Sequence, residues 1–213
     1  MGAFFETGNL KMYFFMKAML TLVVLIFCCS SCGDKLTSMA KGAIDDEELL
    51  KHIVPYDENV QYWEINYLDG QTKVLASFGN LGDEEPNKLK FYHNSFSGFF
   101  TGCQPLLCSY RIVFLKDGSW NFVESIEELK TFIGKVENVQ EAFLLARMQG
   151  FRIDEKSDGN GYLKTEKGYK LKVMKYKSCP ESKESFNVFI NSDEIVSVSS
   201  NGFYYSSGDC IVY

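Results

Sequence analysis

Two textures alternate along this chain. From Val60 the apolar positions follow a period of two, with Val60, Tyr62, Ile65 and Tyr67 running into Asp69-Gly70 and then 73–78. Alternation on both sides of a glycine turn predicts a β-hairpin. The same pattern recurs at 110–115 and 120–123 around Asp117-Gly118, at 162–165 and 169–176 around Lys167-Gly168, and at 185–190 and 195–199 around Asn191-Ser192-Asp193. Short apolar runs at 89–92, 203–205 and 211–213 read as further strands, and 79–87 as a loop.

Between the second and third hairpins the period lengthens. Ser125 with Glu128 and Asn138 with Glu141 are helix-start signals, and Leu129, Phe132, Ile133 and Val136 follow at helical spacing. Residues 142–148 are apolar on most sides, which marks a buried helix, and Gly150 suits its end. A short acidic-start helix is expected from Asp45, ended by Pro55. The expected class is α+β: one curved antiparallel sheet of several hairpins, with two sequential helices, about 125–136 and 139–149, packed on one face.

The N-terminus has a different character. Lys11 and Lys17 precede an uncharged apolar run over 18–29. That run is shorter than the roughly 20 residues a spanning helix needs and suits the core of a signal peptide. Ser30-Ser31-Cys32 follows, with Cys29 before it. This ending resembles the lipobox of bacterial lipoproteins, of the Bacteroidetes type, although Cys29 stands where Leu is usual. The resemblance implies cleavage before Cys32 and acylation of Cys32 by palmitate or similar chains. It gives a signal at 1–31, a tether at 32–44 and a single domain at 45–213. Translation starts at Met1, Met12 or Met16.

Cysteine usage agrees with export. Of seven cysteines, Cys103, Cys108, Cys179 and Cys210 remain after Cys28, Cys29 and Cys32 are set aside. Four allow three connectivities. The expected one pairs Cys103 with Cys108 and Cys179 with Cys210, worth roughly 2 and 3.5 kcal/mol by loop closure. The formal charge is −6 and the sequence pI about 5.1. Nucleic acid is therefore not an expected partner.

Catalytic motifs are sparse. His52 and His93 lack a Ser elbow, and residues 154–165 depart from a calcium loop at Lys156 and Thr165. No catalytic residue, metal or cofactor is expected. Aromatic clusters at Tyr92, Phe96 and Phe99, and at Phe203, Tyr204 and Tyr205, are candidates for a ligand ledge.

Ala142, Ala146, residues 169–173 and residues 189–195 resemble the PepSY module, a helix laid before strands, with Glu194 where a turn Gly is usual. That resemblance implies a peptidase-modulating role. The functional expectation is a non-catalytic protein, lipid-anchored to the membrane of a bacterial envelope and facing the periplasm or the exterior. It would bind or support an envelope protein or glycan. An envelope hydrolase with an unrecognised site is the alternative.

Overall fold

Local turn chemistry sets the architecture of this computed structural model, which describes residues 36–38, 45–82, 97–102 and 108–211. The signal segment, Cys32, the expected strand at 89–92, Tyr92, His93, Phe96 and Cys103 lie outside the described residues.

The first helix, α1 (Asp46–Leu50), starts where Asp45 Oδ1 accepts the Glu48 N–H at 2.7 Å. Strands β1 (Val60–Leu68) and β2 (Thr72–Gly79) form one hairpin; β3 (Ser109–Lys116) and β4 (Ser119–Val123) form another. At the second turn Asp117 and Gly118 have φ of 51° and 72°, the left-handed pair that matches strand twist. The four strands make an antiparallel sheet in the order β2-β1-β3-β4.

Helices α2 (Ile126–Ile133) and α3 (Val139–Met148) both begin in capping boxes, with Ser125 and Asn138 as caps. α2 stops before the expected residue 136 because Gly134 turns the backbone to φ 63°. A Cβ there would lie 2.4 Å from the Tyr56 ring. Strands β5 (Gly161–Thr165), β6 (Gly168–Ser178), β7 (Glu181–Ile190) and β8 (Ile195–Ser206) form a second antiparallel meander.

Two four-stranded sheets therefore replace the single sheet expected, although the α+β class stands. The reason lies in α3, where Glu141 through Ala146 are all buried. A helix buried around its circumference needs cover on opposite sides. Phe132 of α2 meets Trp63 and Phe114 of the first sheet, and Phe143 of α3 meets Tyr162 of the second. Ile65, Ile112, Leu129, Leu144, Leu171 and Ile190 belong to one continuous core.

Three smaller differences follow. β6 and β7 extend to a tight turn at Cys179-Pro180, and Cys179 is bonded to Cys210. Residues 203–205 continue β8 rather than forming a separate strand. Thr37, expected in the tether, pairs with Tyr162 at the edge of β5, each N–H donating to the other's carbonyl at 2.7 Å.

Candidate functional site

A cleft of about 350 Å³ opens where α1 and α3 meet the end of the first sheet and the middle of β6. Its chemistry comes from Asp46, Arg147, Arg152, Tyr67, Tyr110 and Phe100. Arg147 stands in the last turn of α3 and reaches back to the first turn of α1. Its Nε donates to Asp46 Oδ1 at 2.8 Å, and its Nη2 donates to Oδ2 at 3.0 Å. The guanidinium carbon sits 4.5 Å from the centre of the Phe100 ring. Carboxylate and ring together fix the guanidinium plane, a geometry lysine cannot reproduce.

Phe100 is placed by its neighbours. Phe99 pairs with Tyr110 through two backbone hydrogen bonds, at 2.8 and 2.9 Å. Gly98 permits this approach, since a Cβ there would fall 2.5 Å from Tyr110 O. Phe100 then adopts φ 52°, left-handed for a non-glycine residue. Tyr67 and Tyr110 stack at a tilt, 5.4 Å between centres. Burial, with the nearby Asp46 and Glu47 charges, pushes the Tyr110 phenol up to about 12. At neutral pH it is a hydrogen-bond donor and keeps its proton.

The ledge candidates do not share one place. Phe99 is 2% exposed and belongs to the core, whereas Phe203 on β8 is 69% exposed. The Tyr204 hydroxyl donates to Asp154 at 2.6 Å and the Tyr205 hydroxyl to Glu181 at 2.8 Å. Asp154, weighed as a calcium ligand, also accepts from Lys183 Nζ at 3.1 Å. Burial pushes its carboxyl up, but Tyr204, Lys183 and the Glu155 N–H outweigh that and hold it below the usual range. Cys108 is disulfide-bonded and borders the cleft. His52 lies against Glu48 at 3.3 Å with its ring 45% exposed. Among the described residues no group of three or more His, Cys, Asp or Glu converges to hold a metal ion.

Sequence reasoning missed Arg147, Asp46, Arg152, Tyr67 and Tyr110. One signal was present: Arg147 is the only charge between Ala142 and Met148. A second polar cluster lies on the first sheet. Glu64, Asn66 and Arg111 are fully buried there, and Glu64 accepts from Tyr62 and Asn66.

No family model matches this chain, and no curated protein or solved structure matches it.

Proposed function

We propose that this chain is a non-catalytic protein of a bacterial cell envelope, anchored by lipid on Cys32, that holds another envelope component in the cleft beside Arg147. The observation that carries the binding role is the Asp46–Arg147 pair laid against Phe100. Rings and a fixed charge pair give a recognition surface that needs little reordering on binding. A general acid or base works best when its pKa lies near the operating pH. Tyr110, the strongly displaced group in the cleft, moves away from neutrality. The anchoring role is supported by the 18–29 run with Ser30-Ser31-Cys32, and by the Cys179–Cys210 disulfide that suits an oxidising compartment. Among the described residues no helix is long and apolar enough to cross a membrane.

The PepSY-like reading, a domain that modulates a peptidase, is the second. It is favoured by α3 lying behind the β5–β8 meander, with Phe143 against Tyr162.

Photocrosslinking separates these readings. A benzoylphenylalanine at Tyr67 in the cleft gives a discrete protein or glycan adduct in intact envelopes, and Asp46→Ala with Arg147→Ala removes it. The same adducts from Tyr67 and from exposed Val74 on β2 would refute the cleft. Turnover of an envelope polymer lost with the same pair would establish the hydrolase instead.

A further inference from the structure

The acidic chain carries one strongly basic element. Residues 161–178, which make β5 and β6, hold Lys164, Lys167, Lys170, Lys172, Lys175 and Lys177 against a single acid, Glu166. Lys170 and Lys172 alternate with the core residues Leu171 and Val173, so they stand on the face turned away from the helices. Lys167 is exposed at the turn, whereas Lys164 pairs with the core residue Tyr169 and lies on the other face, its Nζ 5.9 Å from that ring. Leu163 and Phe189 flank Lys170 on the outward face, both partly buried. Asp158 is an acidic neighbour, 4.0 Å from Lys172 Nζ.

The beginning of the described chain lies on this same edge. Thr37 is paired with Tyr162. Gly161 leaves room for Leu36: a Cβ on Gly161 would lie 3.2 Å from Leu36 Cβ and 3.6 Å from Lys172 Cβ. From Leu36 back to Cys32 there are only four backbone steps, about 14 Å when fully extended.

We propose that the outward face of the β5–β6 hairpin is the surface this protein turns toward anionic lipid headgroups. The inference rests on the reading that Cys32 is acylated, because that lipid fixes how far the hairpin can stand from the bilayer. The lysines then lie within reach of the negative surface potential. Acidic residues more than about 8 Å away are largely screened at physiological salt, while Asp158 and Glu166 lie close by and offset part of the attraction. The acyl chains hold the protein on the membrane, and the lysines set which way it faces.

The test uses the full chain purified from membranes and placed on vesicles of phosphatidylcholine, with or without phosphatidylglycerol. Lysine acylation is read by peptide mass spectrometry. Lys167, Lys170 and Lys172 are expected to label several-fold less on the anionic vesicles and to recover at high salt, while Lys51, Lys73 and Lys164 on the opposite face do not change. The double variant Lys167→Glu and Lys172→Glu, checked for cooperative unfolding, restores labelling of Lys170. Equal labelling on both vesicles overturns the proposal. An intact mass without acyl chains overturns the anchoring reading separately. The same face is then tested by co-sedimentation with phosphatidylglycerol vesicles, where each Lys→Gln change lowers binding roughly fivefold. No sedimentation with those vesicles overturns the basic face as well.

Discussion

Arg147 and Asp46 are 101 positions apart in the chain, yet they form a two-point ion pair at 2.8 and 3.0 Å. The pair ties the end of α3 to the start of α1 and shapes the mouth of the cleft. Its side chains are 19% and 22% exposed, so solvent screens it only in part. A double-mutant cycle of Asp46→Ala and Arg147→Ala is expected to give a coupling of about 1 kcal/mol in urea unfolding. Additive losses would show that the pair does not constrain the two helices.

Glu141 is the second long-range fastener. It is fully buried, and it accepts the Val54 N–H at 2.8 Å, the Glu137 N–H at 2.7 Å and the Asn138 N–H at 3.3 Å. One carboxylate thereby caps α3 and holds the chain leaving α1. Glu141→Ala is expected to cost about 3 kcal/mol, and Glu141→Gln about half as much, since the amide keeps one acceptor. A loss below about 0.5 kcal/mol for the Ala variant would mean that water replaces the carboxylate freely.

Acid should loosen the second sheet through Asp154. Its folded-state carboxyl titrates below the ordinary value of 3.8, so its stabilisation is complete above that value and is lost as pH falls through the folded-state value. Unfolding free energy of the wild type is expected to fall in that acid window. Asp154→Asn should flatten this part of the profile and leave the neutral limb parallel. An unchanged acid limb in the variant would assign the effect elsewhere.

The Cys179–Cys210 bond closes a loop with a sequence separation of 31, holding the β6–β7 turn to the residues after β8. Replacing both cysteines with serine is expected to cost about 3.5 kcal/mol by loop closure, with the cleft intact. Thermal unfolding with and without the pair measures this. An unchanged melting temperature would contradict it.

What the sequence revealed and what it hid divide by distance along the chain. Ser125 with Glu128 and Asn138 with Glu141 act within one helical turn, and both helix starts were legible from them. Asp69-Gly70 and Asp117-Gly118 act within one hairpin, and both hairpins were legible. The split into two sheets was not, because alternation marks a strand without naming its neighbour. In the sequence β6 and β7 read short, as 169–176 and 185–190 in separate hairpins, because Pro180 and the polar residues around it look like a loop, and only the pairing of Ser178 with Glu181 shows the turn. The cleft was hidden for the same reason. Asp46 reads as a helix-start acid and Arg147 as a helix-end base, and nothing local joins them. Phe99 misled because an aromatic near Ser and Gly can be core or ledge, and its backbone bridge to Tyr110 decides for the core.

Intact mass shows whether the protein is anchored by lipid on Cys32. Protein extracted from membranes would be weighed before and after reduction and alkylation. A lipid-anchored protein begins at Cys32 and is heavier by its acyl chains, with Cys103, Cys108, Cys179 and Cys210 alkylated only after reduction. A mass that retains residues 1–31 without acyl chains, or four thiols alkylated before reduction, would contradict it.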